Sequence, residues 1–269
     1  MTNTQPLAIL GGGPVGLVLA LLLARRRVPS VLFDARSIEQ ARADRRLLAL
    51  SLGSLQTISA LTELPEDVVA PIRSVIVSSV GQYGRAVIDE GDTGAGMLGA
   101  TIRYGDLIAA LAAAAESSQW ISVRRSRKVS AVRQTPSSVE VELDGDQRFN
   151  APLALNAEGL GTSSAASTSH AALVADLDVV GLERGTACER FTRDGPLALL
   201  PLPARTPSSA HRMALVWCMT NAQADRRIGL SDAQFTDEVS AQLGERKLRV
   251  SAIQSRARYP LYEQERDEL

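Results

Sequence analysis

With 269 residues, 45% of them hydrophobic and 22% charged, the chain can hold one large domain or two small ones and has the make-up of a globular protein. Its 29 basic residues offset 30 acidic ones, which removes the electrostatic basis for binding nucleic acid. Cys188 and Cys218 are the only cysteines and His170 and His211 stand alone, so no zinc spacing exists and the thiols read as buried groups of a reducing compartment, a disulfide between them staying open but not implied.

Residues 7–10 form an apolar run, followed by Gly11-Gly12-Gly13-Pro14-Val15-Gly16 and the apolar residues 17–24. Strand, Gly-x-Gly-x-x-Gly and helix in that order are the setting in which the glycine pattern signals a dinucleotide. Gly11 permits the tight turn, Gly13 lets backbone approach a pyrophosphate, and Gly16 lets the helix pack on the strand. The helix start, at Pro14 and Val15, offers N–H groups and the positive end of its dipole to phosphates. Val31-Leu32-Phe33 predicts a second strand with Asp34 at its tip, placed to accept hydrogen bonds from an adenosine ribose. The bland alternative, a turn that merely tightens a βα unit, leaves Asp34 unexplained.

The first helix is expected over 14–26, with Arg25, Arg26 and Arg27 complementing its C-terminal dipole. Residues 47–61 suit another helix. Residues 75–78 and 86–88, around Gly81 and Gly84, read as two short antiparallel strands, and 101–103 leads into an alanine-rich helix over 106–115. Strands are expected over 121–132, 139–143 and 153–155, the last ending in Asn156-Ala157-Glu158-Gly159. The basic run Arg124, Arg125, Arg127, Lys128 and Arg133 has no aromatic platform beside it and reads as an exposed, charged strand edge. Residues 163–169 suit a loop, and 171–180, 197–202 and 213–219 suit successive strands. Ser231 and Gln234 form a capping box for a helix to Leu243, closed by Gly244. The pattern is an α/β nucleotide-binding part with an antiparallel sheet grafted onto it.

Several stretches carry a family resemblance. Beyond residues 10–17, Asp44-Arg45-Arg46-Leu47-Leu48-Ala49-Leu50 looks like an Asp-x-Arg-x-x-Ala-Leu segment, and Cys188-Glu189-Arg190-Phe191 through Gly195-Pro196-Leu197-Ala198-Leu199-Leu200-Pro201 looks like a Glu-Arg-Phe-Thr…Gly-Pro-Leu-Ala-Leu-Leu-Pro signature. Residues 77–84, 98–103, 215–217 and 259–261 also match. The chain thereby resembles the FAD-dependent aromatic hydroxylases of ubiquinone biosynthesis (2-polyprenyl-6-methoxyphenol hydroxylase-like), group A flavoprotein monooxygenases of the p-hydroxybenzoate hydroxylase type. Two departures are visible. Asn156-Ala157-Glu158-Gly159 stands where the superfamily has Gly-Ala-Asp-Gly, and the family's Gly-Asn/Asp-Ala-Ala-His stretch after Tyr259-Pro260-Leu261 is not in this sequence.

The resemblance implies a Rossmann-like α/β FAD-binding domain over 1–70 and 99–168, C-terminally incomplete, and an inserted antiparallel β-sheet substrate domain over 71–98 and 169–269. It implies FAD held by Gly11, Gly13, Pro14, Val15, Gly16, Asp34, Arg46 and Glu158, with NAD(P)H as transient reductant. A prenylated phenol would meet Tyr83, Phe191, Leu200 and Trp217, and no metal or acid–base triad is required. The same implication extends to a quinone-biosynthesis enzyme complex as partner. The longest apolar runs fall short of a membrane span and no basic leader precedes the glycine turn, so a cytoplasmic location is expected, with at most peripheral membrane contact. Two alternatives stay open: a catalytically silent truncated paralogue acting as an assembly partner, and a nicotinamide-dependent dehydrogenase.

Overall fold

The computed structural model describes residues 5–92, 94–159, 166–203, 211–244 and 248–263. Strand and helix alternate at first, through β1 (Leu7–Leu10), α1 (Pro14–Arg25), β2 (Ser30–Asp34), α2 (Ile38–Arg42), β3 (Leu47–Ser51) and α3 (Leu52–Ser59). Next come β4 (Val69–Ile72), β5 (Ser74–Ser79), β6 (Arg85–Asp89), β7 (Gly99–Arg103) and α4 (Tyr104–Glu116). Strands then dominate: β8 (Ile121–Arg125), β9 (Val129–Gln134), β10 (Val139–Leu143), β11 (Arg148–Ala151), β12 (Ala154–Asn156), β13 (Ala166–Val180), β14 (Thr186–Phe191), β15 (Pro196–Pro201) and β16 (His211–Thr220). The last elements are α5 (Asn221–Ile228), α6 (Asp232–Leu243) and β17 (Arg249–Glu263). They form two units, one of Met1–Arg46, Gln56–Leu64 and Arg103–Gly161, the other of Leu47–Leu55, Pro65–Ile102 and Thr162–Leu269.

In the first unit β12, β1, β2 and β8 make a parallel sheet in that order. Every residue of β2 is buried, as expected of a parallel strand covered on both faces. The alanine-rich helix forms, and α4 buries Leu107, Ile108, Leu111, Ala112 and Ala115. A three-stranded antiparallel sheet, β11-β10-β9, covers Ala8, Leu10, Val31 and Phe33 with Val139, Val141, Leu143 and Ala151. Those inward residues alternate with Glu140 and Glu142, which ion-pair with Arg148 at 3.4 and 3.6 Å.

Two expectations are corrected here. Residues 47–51 are strand, not helix, because a Leu-Leu-Ala-Leu run fits either period and hydrogen bonding to β7 decides it. Residues 121–132 are not one strand: Ser126 takes φ 55°, the chain leaves the parallel sheet after Arg125, and β9 starts the antiparallel one.

The second unit is built on a seven-stranded sheet, β17-β13-β16-β15-β14-β5-β6, antiparallel except where β14 runs parallel to β5. Of the loop expected over 163–169, residues 163–165 lie outside the described residues, and β13 already runs from Ala166. One sheet face buries Leu173, Leu177, Leu199, Leu215 and Trp217 against Phe235, Val239 and Leu243 of α6. The capping box forms as read: the Ser231 hydroxyl accepts the Gln234 N–H at 3.3 Å and the Gln234 side chain accepts the Ser231 N–H at 3.1 Å. Arg227, only 4% exposed, pins the helices to the sheet. Its guanidinium stacks 4.1 Å from the Trp217 ring centre and donates to Asp194 at 2.6 Å and Glu238 at 2.9 Å.

Removing that clasp takes the Arg227 cation from Asp194 and leaves Glu238 with Arg226, 2.6 Å away. Arg227→Ala is expected to lower unfolding stability by about 2–4 kcal/mol in urea melts, the partial exposure of both acids moderating the loss. Hydrogen bonds from Arg226, then from Arg227, hold the Glu238 carboxyl below its ordinary range. A carboxyl depressed by folding stabilises fully above the unfolded pKa and loses that contribution as the pH falls through the lower, folded value. Urea melts between pH 7 and pH 3 should therefore show an acid-side loss that Glu238→Gln reduces.

Candidate functional site

The site of the first unit is built from glycines that let chain segments touch. Gly11 takes φ +106°, and a Cβ there would lie 2.5 Å from the Ala157 carbonyl oxygen and 2.7 Å from the Glu158 nitrogen. The end of β12 thus lies against the turn, tied by the Ala157 N–H donating to the Leu10 carbonyl at 2.7 Å. A side chain at Gly16 would strike the Gly11 carbonyl, so α1 reaches the strand only with glycine there. Pro14 opens α1, with Gly13 as N-cap, no side-chain cap and no acid in the first turn. Val15 is 70% exposed. The helix therefore presents its N-terminal N–H groups and positive dipole end at the turn without a carboxylate of its own.

Asp34 is buried at the tip of β2, its carboxylate beside Gly12: a Cβ on Gly12 would lie 2.6 Å from Asp34 Oδ2. Asp34 Oδ1 accepts the Arg36 N–H at 2.8 Å. Oδ2 has no hydrogen-bond partner, although Arg125 Nη1 lies 3.5 Å away. The expectation that Arg125 is exposed on a strand edge is corrected. β2 and β8 pair Asp34 with Arg125, and neighbours in register point to the same side of a sheet, so the guanidinium lies beside the carboxylate with its side chain only 11% exposed. Arg124 points the other way, over the rings of Phe33 and Phe149 at 5.7 and 5.6 Å.

Around this pair lies a cationic rim. Arg36 Nη2 donates to the Tyr104 hydroxyl at 2.8 Å, and that hydroxyl lies 3.2 Å from where a Gly13 Cβ would stand. Arg46 stacks 4.8 Å from the Tyr104 ring centre and is clasped by Asp44, at 2.6 Å from Nη2 to Oδ2. Burial pushes the Asp44 carboxyl up, but hydrogen bonds from the Arg46 side chain and N–H outweigh it and leave it below the usual carboxylate range. The Glu158 side chain is exposed, and its N–H donates to the Asn156 side-chain oxygen at 3.1 Å, so the asparagine folds the Asn156–Gly159 turn. The nucleotide residues read from the sequence gather at one turn, except that Arg46 stands at its Tyr104 rim. Gly12, Arg36, Tyr104 and Arg125 were missed. Gly12 was inside the motif, whereas the others depend on strand register and on where α4 begins.

In the second unit the predicted substrate residues are scattered. Tyr83 is fully exposed between β5 and β6, Phe191 is half exposed at the end of β14, and Trp217 is completely buried. Register places Trp217 opposite Leu197 and Leu200 opposite Ala214, so Leu200 and Trp217 lie on opposite faces. The Leu200 face also carries Val216, Cys218 and Glu189. Burial pushes both the Glu189 carboxyl and the Cys218 thiol up, the thiol further by the nearby Glu189 charge. A groove of about 680 Å³ in this unit is lined by Arg73, Glu183, Arg184, Leu202 and His211 among others and contains none of the four predicted residues.

No family model matches the chain. It is 25% identical over 280 residues to the protein slr1300 of Synechocystis sp. (strain ATCC 27184 / PCC 6803 / Kazusa), an alignment covering 96% of this chain and 64% of that protein. The chain thus spans less than two thirds of its relative's length. Among solved structures it is similar to PqsL of Pseudomonas aeruginosa, described as "a probable FAD-dependent monooxygenase" (TM-score 0.67, 14% identity, 92% of this chain and 73% of that one). It is also similar to 2,6-dihydroxypyridine-3-hydroxylase of Arthrobacter nicotinovorans (TM-score 0.59, 14% identity, 81% and 57%) and to CtdE in complex with FAD (TM-score 0.58, 11% identity, 97% and 72%). The fold is the p-hydroxybenzoate hydroxylase-like α/β fold.

The turn's two inner glycines should differ in tolerance. Gly12→Ala pushes a methyl into the Asp34 carboxylate and is expected to cost about 1–3 kcal/mol in denaturant melts. Gly13→Ala, facing only the Tyr104 hydroxyl, should change stability by less than about 1 kcal/mol.

Proposed function

We propose that this chain binds FAD and belongs to an aromatic-ring monooxygenase that hydroxylates a polyprenylated phenol in ubiquinone biosynthesis, using NAD(P)H and O2. One observation carries the cofactor half: the buried Asp34 oxygen without a hydrogen-bond partner, beside a glycine turn that a single Cβ would obstruct. A buried acceptor left open is costly unless a donor arrives, and a ribose hydroxyl is such a donor. The turn and the uncapped start of α1 suit the adjoining diphosphate: Gly11 and Gly16 allow the close packing, while Gly13, Pro14 and Val15 form the helix entry. Arg46 adds charge at the rim, and Glu158 stands beside Gly11. These residues fit the adenosine and diphosphate part of FAD.

When bound, FAD supplies the redox chemistry, taking electrons from NAD(P)H and using O2 to place one oxygen atom on an electron-rich ring. The protein's part is to hold, orient and exclude water. In this reading the first unit carries the cofactor and the second the substrate. The apolar Leu200 face of the sheet accepts the ring and its tail, Tyr83 and Phe191 border it, and Trp217 supports it from the core. Glu189, on that face, can accept a hydrogen bond from a phenol hydroxyl. No helix among the described residues is long and apolar enough to cross a membrane. In this reading a lipid-tailed substrate is met by peripheral contact at the cytoplasmic face, within an assembly of quinone-forming enzymes.

The test is reconstitution. Protein mixed with FAD should retain the flavin and quench its fluorescence, and Asp34→Asn should weaken binding at least tenfold, the value of one hydrogen bond to a charged group. A prenylated phenol should then raise NADPH oxidation, with one atom of labelled O2 appearing in the product. Oxidation that no prenylphenol stimulates, or product without label, would overturn the monooxygenase reading. Protein that stays colourless in excess FAD would overturn the cofactor reading.

A further inference from the structure

We propose that Arg125 is a ligand-recognition residue, which together with Asp34 reads the hydroxyl groups of a ribose. The inference rests on the nucleotide reading above and assigns a second residue to it. Three nitrogens of the Arg125 guanidinium, Nε, Nη1 and Nη2, are buried with no hydrogen-bond partner, and so is Asp34 Oδ2. The two charges stand 3.5 Å apart, close enough to attract, yet without a hydrogen bond between them. Buried polar groups in native proteins are nearly always satisfied, and a paired donor and acceptor both left open mark a place where something else completes them.

The arrangement is held from several sides. The β2–β8 register sets Arg125 beside Asp34. The Ser126 turn closes over the tip of β2, with the Ser126 N–H donating to the Arg36 carbonyl at 3.3 Å and the Arg127 N–H to the Asp34 carbonyl at 3.0 Å. Gly12 abuts the Asp34 carboxylate, so the acceptor without a partner lies next to the glycine turn, with Arg125 Nη1 3.5 Å from it.

The chemistry selects the ligand. A phosphate only accepts hydrogen bonds and would be repelled by Asp34, and an ammonium only donates and would be repelled by Arg125. A hydroxyl does both: its proton goes to Asp34 Oδ2 while its lone pairs take N–H groups of Arg125. In a nucleoside diphosphate the sugar is the part bonded directly to the phosphates, and Asp34 abuts Gly12, the residue before the N-cap Gly13 of the helix at which a diphosphate would sit. The pair therefore meets the ribose before it meets the base.

The 269-residue chain is titrated calorimetrically with ADP, 2′-deoxy-ADP and 3′-deoxy-ADP, and then as Arg125→Gln and Arg125→Lys, each checked for folding by circular dichroism. ADP is expected to bind wild type at least tenfold more tightly than one of the deoxy analogues. Arg125→Gln should weaken ADP at least tenfold and shrink that discrimination below threefold, and Arg125→Lys, which keeps charge but not the planar fork, should fall between. Equal binding of ADP and both analogues to wild type overturns the proposal while leaving the nucleotide site standing. So does unchanged ADP affinity in Arg125→Gln. Absence of binding by both ADP and FAD overturns the proposal and the site together. Should Arg125→Gln not fold, Arg125→Lys decides: ADP affinity and discrimination equal to wild type overturn the proposal, and a loss of both supports it.

Discussion

Three stretches of chain meet at a glycine turn that places no side chain of its own between them, and the arrangement of the first unit depends on that contact. Gly11 touches the Gly16 backbone on one side and Ala157–Glu158 on the other, while Gly12 lies against Asp34. Each contact is shorter than a Cβ would allow. The start of α1, the tip of β2 and the end of β12 are thereby brought to one point, although residue 157 is far from residue 11 along the chain. A helix terminus, a carboxylate and an extended backbone converge there because hydrogen atoms stand where methyl groups would otherwise force them apart.

The parts of the fold that were readable from sequence are those whose causes are local. β1, the turn, α1 and β2 follow one another within a short stretch, and each is specified by residues in contact along the chain. The helix from Ser231 to Gly244 announces itself in the same way, through its cap and its closing glycine. An identical box at Ser37 and Gln40 went unread because the five residues of α2 are too few to show a helical period. Leu47–Ser51 and residues 121–132 failed for another reason. An apolar run tells neither strand from helix nor one strand from two, and partners distant in sequence settle it, β7 in one case and the divergence of two sheets in the other.

The same limit explains the site. The position of Asp34 at the tip of β2 was legible because a short apolar run ending in an acid is a local pattern, whereas the burial of Arg125 beside it was not, because an arginine in a basic run reads as surface until the register of β2 and β8 is known. In the second unit, alternation alone separates Leu200 from Trp217. The sequence marks both as large and apolar, and only the placement of α5 and α6 shows that Trp217 lies beneath Arg227 in the core while Leu200 lies on the opposite face.

Energetics add a reason to regard the Asp34–Arg125 pair as a recognition element rather than a fastening. A buried ion pair recovers its desolvation cost only with good geometry and with its remaining hydrogen bonds made. The Arg227 clasp meets that standard, with contacts of 2.6 and 2.9 Å to two carboxylates that keep some access to water. The Asp34–Arg125 pair does not: its separation is 3.5 Å and its donors and one acceptor are open. As a device for stability it is inferior to apolar side chains of the same size. A pair that is costly by itself becomes favourable when one small group both donates to and accepts from its two charges, and the free energy withheld from folding is then available for binding.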